Sequence, residues 1–294
     1  MSALRSIQFA HNRIAKLTER KPAKKTTTAK AASSDDDIAP EKDRQFVTAL
    51  ARGLDVLRCF TRATPALGTA DIARMTGLAQ PTVWRLCYTL IQEGYLVQTD
   101  RGGRLRPGIS VLGLGQAAIA SMPIAELARD DMQALASRYQ CAVSLGMRDG
   151  HYMVYMQRMQ GSQIILRDLE VGSRVPLSSS ATGWAYLAGL PDDEREQVFK
   201  ELQEIEKKRW STLLPKIKQS IAQYKRTGFI INKGSLHAQI NAVAVPVMSS
   251  DGKALLSLSA GGISLVFDDE TLVKVGNELK RLAARFASAL DTMR

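Results

Sequence analysis

Cysteine and histidine are scarce in this sequence, with three of each among 294 residues. Cys59, Cys87 and Cys141 lie far apart in apolar stretches, and no Cys-x-x-Cys pair occurs. Zinc sites need ligands at short, regular spacing, and small disulfide-stabilised proteins need a high cysteine content. We therefore expect reduced thiols in a protein core, and neither a metal site nor a disulfide framework.

Several patterns that mark membrane proteins and enzymes are also missing. No run of about 18 apolar residues occurs, which argues against a membrane-spanning helix. No Gly-x-Ser-x-Gly frames Ser178 to Ser180, and no P-loop is present. Gly113, Gly115 and Ala118 match part of a dinucleotide-binding motif, but they lie inside a helix-like run instead of between a strand and a helix. The sequence predicts no catalytic residue, no cofactor and no metal ligand.

What the chain does have is an uneven positive charge. The formal net charge is +11, and the excess of basic residues is concentrated in the first third of the chain. Every basic residue in 45–107 is Arg, which suits bidentate contacts with phosphates and guanine edges. Basic surfaces attract DNA, RNA or anionic membranes. Residues 1–43 are poor in apolar side chains and predict a disordered basic tail that would add non-specific DNA affinity. A transit peptide and a start codon assigned too early are the alternatives.

Residues 44–107 follow the element order of a winged helix-turn-helix. The first helix has a one-sided apolar stripe of Val47, Leu50, Leu54, Leu57 and Phe60. A short helix, a turn and a longer helix follow. Two short extended runs around Gly102 and Gly103 then predict a hairpin, which would be the wing.

Local signals refine the two helices of the turn motif. Thr69 is expected to cap the short helix, and Gly77 is expected to end it. Ile72 and Met75 are expected to face inward. Pro81 suits the first position of the next helix, because it needs no backbone N–H there.

In a winged helix-turn-helix, the second helix of the turn motif enters the major groove of DNA. The hairpin arginines would then lie along the backbone or in the minor groove. A protein-binding winged helix with a solvated basic face is the alternative, but the basic charge favours double-stranded DNA. The candidate DNA-binding residues are Thr69, Gln80, Thr82, Trp84, Arg85, Tyr88, Arg101, Arg104 and Arg106.

The rest of the chain reads as a linker helix followed by a second domain. Residues 108–121 are small and apolar and predict the linker helix. Residues 122–294 predict an α+β domain around an antiparallel sheet. Its expected helices cover 124–139, the stretch after Ser178–Ser180, 192–226 and 268–293. Its expected strands flank turns at 148–150 and 250–252, with a further strand and loop over 163–177.

The chain from about residue 46 resembles the IclR family of transcriptional regulators. The resemblance is carried by "ALARGLDVLRCF", "TADIARMTGLAQPTVWRLCYTLIQEGYL", "VGSRVPLSSSATGWAYLA" and "GFIINKGSLHAQINAVAVPVMSSDGKALLSLSAGG". It implies a winged-helix DNA reader, a linker helix and a GAF-like C-terminal domain that binds a small effector. It also implies a homodimer, often paired as a tetramer, in the bacterial cytoplasm on the nucleoid, without membrane contact.

The same resemblance implies an effector pocket. Asn232 and Lys233 stand where the family often has an acidic pair, so the pocket here is more positive and favours a small organic or aromatic acid. Pro81 replaces a small polar residue and removes one phosphate contact. Core packing is the alternative role for Ile164, Ile240 and Ala242. The implied pocket residues are Ile164, Arg167, Ala181, Thr182, Gly183, Asn232, Ile240, Ala242 and Ser259.

These observations predict a ligand-responsive, sequence-specific DNA-binding regulator. One alternative is an enzyme acting on a small metabolite, with the N-terminal domain as a DNA tether. The lack of a catalytic nucleophile paired with a general base argues against it. The other alternative is a protein-binding winged-helix module.

Overall fold

The computed structural model describes residues 45–99, 103–161, 169–250 and 252–292. The predictions for the tail at 1–43, for Arg101 and for Ile164 and Arg167 lie outside these residues. The described chain forms two compact units, of which the first ends at Ala120 and the second begins at Ser121. Within the described residues, no single helix is long and apolar enough to cross a membrane; Ser110–Ala120 and Pro123–Tyr139 reach that length and composition only together, as a pair broken by a bend.

The N-terminal unit has the predicted order of a winged helix-turn-helix. Its core contains Val56, Ile72, Val83 and Leu96, each fully buried. The two strands of the wing pair antiparallel. The elements are α1 (Thr48–Arg58), α2 (Thr69–Thr76), α3 (Gln80–Gln92), β1 (Leu96–Gln98), β2 (Leu105–Pro107) and α4 (Ser110–Ala120).

The expectation that Met75 faces inward is wrong, and the apolar stripe of α1 is mostly exposed. Met75 is 50% exposed, because α2 buries the side that carries Ile72 and Ala73, about a quarter turn away. On α1 the predicted stripe is mostly exposed: Leu50 is 63% exposed and Leu54 is 45% exposed. The residue of α1 that is fully buried is Val56, which lies beside the stripe.

The ends of α2 and α3 differ slightly from the prediction. Gly68, not Thr69, is the N-cap of α2, and its backbone N–H donates to the carboxylate of Asp71 at 3.2 Å. Gly77 ends α2 as predicted, in the left-handed region at φ 68°. Pro81 is the second residue of α3 instead of the first, since Ala79 serves as the N-cap.

The C-terminal unit is an α+β domain built on an antiparallel sheet, as predicted. The strand order in the described residues is β5-β4-β3-β8-β7-β6. The elements are α5 (Pro123–Leu127), α6 (Arg129–Tyr139), β3 (Ala142–Asp149), β4 (Tyr152–Gln160), β5 (Arg174–Pro176), α7 (Ala181–Ala188), α8 (Asp192–Glu206), α9 (Trp210–Thr227), β6 (Ile230–Lys233), β7 (Ile240–Met248), β8 (Ala254–Ile263) and α10 (Asp269–Thr292).

Two helices that were expected to be continuous are broken. The stretch 124–139 divides at Ala128, which is fully buried and ends α5 before α6 begins. The stretch 192–226 divides at a 3-10 turn, Lys207–Arg209, where Lys207 has φ 48°. In both places the break lets the second helix pack its own apolar side against the domain.

Each face of the sheet is covered by helices. One face packs against α5, α6 and α10, through residues such as Met132, Leu272 and Phe286. The other face packs against α7, α8 and α9, through Trp184 and Trp210 among others. Because successive strand residues point to opposite faces, the strands supply both cores.

Candidate DNA interface and ligand site

The solvent-facing side of α3 carries aromatic and cationic groups. Trp84 and Tyr88, one turn apart, are 59% and 52% exposed. Their rings stack with centroids 5.7 Å apart and planes 18° apart. Arg85 and Gln80 are exposed beside them, whereas Thr82 is half-buried. The opposite side of α3 is anchored in the core through Val83 and Cys87, so this polar and aromatic face is held in a fixed orientation.

The two described wing arginines have different surroundings. The Nη2 of Arg104 donates to the carbonyl oxygen of Ala66 at 2.8 Å. Next to it, Leu105 and Leu67 exchange two backbone hydrogen bonds. Arg104 thus ties β2 to the segment before α2. Arg106 is exposed on β2. Thr69 is half-buried at the first position of α2.

The start of α7 is built around Ser180. Its Oγ accepts a hydrogen bond from the N–H of Gly183 at 3.0 Å, so this N–H is already used by the N-cap. A Cβ at Gly183 would lie 2.3 Å from the carbonyl oxygen of Leu177, which only a glycine avoids. Gly183 therefore serves close packing, while Ala181 and Thr182 occupy the first turn and are buried.

A row of polar residues crosses the sheet face beneath α7. Arg158, Ser144 and Ser259 are direct cross-strand neighbours on β4, β3 and β8. The Oγ of Thr182 donates to the Oγ of Ser259 at 3.0 Å, and both residues are buried. Nη1 of Arg158 donates to the Oγ of Ser144 at 2.7 Å. We call Arg158, Ser144 and Ser259 the polar row.

The residues next to the polar row are small. Ala142 and Gly261 lie two residues along β3 and β8 from Ser144 and Ser259, on the same face. Ala242 on β7 is the cross-strand neighbour of Gly261. Ile240 lies two residues from Ala242 on β7 and so shares that face. Small side chains leave room above a sheet, and we call Ala142, Gly261 and Ala242 the small-residue floor.

Asn232 lies at the edge of this floor, paired with Ala242 across β6 and β7. It is 3% exposed. Its Nδ2 donates to the carbonyl oxygen of Ser179 at 3.0 Å, and its Oδ1 accepts from the N–H of Ser235 at 3.2 Å. Asn232 therefore joins β6 to the serines that precede α7.

The residues that the resemblance implies for an effector pocket, where the structure describes them, thus lie on one side of the sheet. Ser144, Tyr155 and Arg158 lie beside them, and neither the sequence patterns nor the resemblance indicates these three residues. A charged residue within the apolar run of β4 was the available signal for Arg158. Burial raises the pKa of the Tyr155 phenol above its usual value, although the nearby Arg158 cation opposes that shift. Over the described ranges, no cluster of His, Cys, Asp or Glu could hold a metal ion.

The chain matches two family models. Residues 49–100 match the IclR helix-turn-helix domain, and residues 116–288 match the bacterial transcriptional regulator IclR C-terminal domain. The HTH-type transcriptional regulator TsaQ1/TsaQ2 of Comamonas testosteroni is 32% identical over 211 residues, which cover 71% of this chain and 76% of that protein.

Solved structures share the fold. An IclR family transcriptional regulator from Brucella abortus has a TM-score of 0.78 at 37% identity, covering 85% of this chain and 94% of that chain. An IclR homologue from Microbacterium hydrocarbonoxydans, complexed with 4-hydroxybenzoate, has a TM-score of 0.66 at 22% identity, covering 82% of this chain and 100% of that chain. With both domains matched in sequence and fold, the chain belongs to the IclR family of bacterial DNA-binding transcriptional regulators.

Proposed function

We propose that the DNA binding of this IclR-type regulator is controlled by a small organic or aromatic acid bound between α7 and the sheet. The observation that carries the proposal is the buried hydroxyl pair of Thr182 and Ser259, at 3.0 Å, beside the small-residue floor. The pair links the first turn of α7 to β8. A ligand that inserts here must exchange hydrogen bonds with the pair, so it would shift α7 relative to the sheet.

The chemistry of this place favours an anion. The first N–H groups of a helix have no partner within the helix and carry partial positive charge. Hydroxyl groups of Thr182 and Ser259 add donors, and the polar row adds the cation of Arg158. The Microbacterium structure holds an aromatic carboxylate. At its level of identity the likeness concerns the fold, so the ligand class proposed for this chain rests on the chain's own side chains.

For the N-terminal unit, we propose that α3 enters the major groove. The exposed side chains of Trp84, Arg85 and Tyr88 would face base edges, as would Thr82, which lies one turn before Arg85. Gln80, Thr69 and Arg106 would contact the phosphate backbone, whereas Arg104 holds β2 against the segment before α2. The proposal assigns DNA binding to residues 44–107, coupling to the linker at 108–121 and effector binding to 122–294.

We further propose that the protein acts as a homodimer, or a dimer of dimers, on a palindromic operator. An exposed apolar face supports this: Leu50 and Leu54 of α1 are exposed next to Leu86 and Leu90 of α3. Exposed apolar patches of this kind mark protein contacts. A symmetric partner would cover it and set the spacing of two recognition helices.

The test is thermal unfolding of the full chain with a panel of organic and aromatic acids. A ligand at about 100 times its Kd stabilises a protein by roughly 2.7 kcal/mol, a readable shift. We expect at least one acid to stabilise the wild type, and Thr182→Val and Ser259→Ala to lose that shift. Ser249→Ala is the matched control, because Ser249 is also buried and donates to a backbone carbonyl, but at the β7–β8 turn.

The same acids are then tested for their effect on operator binding. A stabilising acid that changes operator affinity supports the proposal. A stabilising acid that the protein chemically converts would instead support the enzyme alternative. A panel without any stabilising acid would overturn the proposed ligand class.

A further inference from the structure

Arg158 is held in place by two contacts. Its Nη1 donates to the Oγ of Ser144 at 2.7 Å. The guanidinium carbon lies 5.5 Å from the centroid of the Tyr155 ring, within the range of a cation–π contact. Together the two contacts restrict the position of the guanidinium group.

The opposite edge of the same guanidinium group lacks a partner. Nε and Nη2 of Arg158 are buried, and neither makes a hydrogen bond. A buried donor without a partner costs about 1–3 kcal/mol, and more when it is charged. Such groups are rare in folded proteins, and a bound ion or water is a usual reason for them. The unpartnered Nε and Nη2 therefore indicate a binding site for a hydrogen-bond acceptor.

The geometry of this edge is specific. Nε–H and the adjacent N–H of Nη2 point the same way, side by side. This arrangement matches the two oxygens of a carboxylate, which accept two parallel hydrogen bonds from arginine. A single acceptor atom, such as a hydroxyl oxygen, reaches both donors only through bent and therefore weaker hydrogen bonds.

The local charge also favours an anion. None of the buried residues in the described chain is Asp or Glu. Glu170, which is exposed, is the acidic residue that acts on Arg158 electrostatically. Burial raises the pKa of the Cys141 thiol to about 12, so this neighbour is neutral, and Tyr155 is neutral for the same reason. The buried part of the guanidinium group thus faces neutral partners.

We propose that Arg158 anchors the carboxylate of the effector through Nε and Nη2, with the polar row leading from this anchor to the Thr182–Ser259 pair. The inference rests on the proposed function, because it takes the ligand to lie on this face. Arg158 and Ser259 are two strand spacings apart, about 10 Å, which limits the ligand to a compact acid. Arg158 then sets the requirement for an acid, and the Thr182–Ser259 pair couples ligand binding to the position of α7.

The experiment compares carboxylates with their neutral amides, using the full chain. The probes are butanoate and butanamide, benzoate and benzamide, and 4-hydroxybenzoate and 4-hydroxybenzamide. Thermal unfolding identifies the pair whose carboxylate binds, and calorimetry gives the Kd of that carboxylate. We expect a carboxylate to bind the wild type and its amide not to bind. We expect Arg158→Lys, which keeps the charge but loses the paired donors, to weaken binding roughly 10- to 100-fold. Arg158→Gln should abolish it.

A matched control and a measurement without ligand exclude a merely structural role. Arg174 also lies over a tyrosine of this sheet, with its guanidinium carbon 4.6 Å from the Tyr152 ring centroid, but it pairs with Asp149 at 2.8 Å. Arg174→Gln should leave ligand affinity unchanged. Without ligand, Arg158→Gln should unfold at the wild-type temperature or above it, because a buried unpartnered charge has been removed.

The outcomes separate this inference from the proposed function. One outcome is that carboxylates stabilise the wild type, Arg158→Lys and Arg158→Gln but no longer stabilise Thr182→Val. In that case the inference is overturned and the proposed function stands. A lower unfolding temperature of ligand-free Arg158→Gln together with unchanged affinity also overturns it. If no carboxylate of the three pairs binds the wild type, both are overturned.

Discussion

The hydroxyl of Thr182 donates a hydrogen bond to the hydroxyl of Ser259 at 3.0 Å, although the two residues are 77 positions apart. The close approach is possible because Gly146 lies beneath: a Cβ there would be 3.1 Å from Cγ2 of Thr182. Ser259 in turn directs its hydroxyl at the backbone oxygen of Ser144, 3.4 Å away. The first turn of α7 is thus connected to two strands, and its position depends on what these hydroxyl groups bind.

The packing of α7 predicts that Gly183→Ala is strongly destabilising. The added methyl group would lie 2.3 Å from a backbone oxygen of Leu177, and neither backbone segment moves without breaking the Ser180 cap. We expect a loss of about 1–3 kcal/mol or more in the free energy of unfolding of the C-terminal unit. Urea unfolding of the full chain measures it, and a wild-type midpoint would contradict the described packing.

Gly261→Ala, on the small-residue floor, is expected to behave differently. A Cβ at Gly261 would make only ordinary contacts, the nearest 3.5 Å from the backbone oxygen of Asn241. We expect unchanged or slightly increased stability, because alanine restricts the unfolded chain more than glycine. The methyl group would occupy ligand space, so the affinity for the stabilising acid should fall about tenfold. Unchanged affinity in calorimetry would place the ligand elsewhere.

Much of the fold could be predicted because the signals are local. The order of helices and strands follows from apolar periodicity and from glycine at turns such as Gly77. What the sequence could not supply is which side of a short helix the tertiary core selects. Met75 lies three residues after Ile72, yet the buried side of α2 is centred between Ile72 and Ala73 and leaves Met75 exposed. The break at Ala128 likewise depends on packing against the sheet.

The candidate site was only partly predictable for a related reason. Simple alternation puts Tyr155 and Arg158 on opposite faces of β4. A bulge in the β3–β4 pairing, where Leu145 pairs with Gln157 and Gly146 with Tyr155, inserts one extra residue. This insertion brings Tyr155 and Arg158 to the same face. Periodicity alone does not reveal such a shift, so the resemblance supplied Thr182 and Ser259 but not Arg158.

The α3 surface predicts that Arg85→Ala reduces specific operator binding. If Arg85 contacts a base edge, the loss is about 1–3 kcal/mol and is confined to sequences carrying that base. Titrations against operator and scrambled DNA at several salt concentrations measure it. Arg281→Ala is the control, because Arg281 is 73% exposed but lies in the C-terminal unit. An equal loss on every sequence, with a shallower salt dependence, would make Arg85 a phosphate contact.

The two wing arginines that the structure describes, Arg104 and Arg106, are predicted to differ. Arg104→Ala removes the bond to the carbonyl oxygen of Ala66, so it should lower the stability of the N-terminal unit by roughly 0.5–1 kcal/mol. Arg106→Ala should leave stability unchanged. It should weaken binding to all DNA sequences and reduce the salt slope by about one. Urea unfolding and salt-dependent titration of both variants test this, and identical behaviour of the two would refute the distinction.

Asn232→Asp is predicted to destabilise the C-terminal unit, although an acid is the residue that the family resemblance implies at this position. The side-chain amide of Asn232 donates to the carbonyl oxygen of Ser179 at 3.0 Å in a buried place. A carboxylate has no donor for this oxygen and repels it, so we expect a loss of about 1–3 kcal/mol at neutral pH.

The pH dependence of this loss separates the hydrogen bond from a packing effect. A protonated carboxyl group regains a donor, so the difference from the wild type should shrink as the pH falls. Asn277→Asp is the matched control, because Asn277 also donates to a backbone carbonyl, of Val273 at 3.1 Å, but on the exposed surface of α10. It should be nearly neutral at every pH. Urea unfolding at several pH values measures both variants. A loss of stability in Asn232→Asp that is independent of pH would show that the hydrogen bond to Ser179 is not its cause. The contact between β6 and the start of α7 would then depend on the shape of the side chain alone.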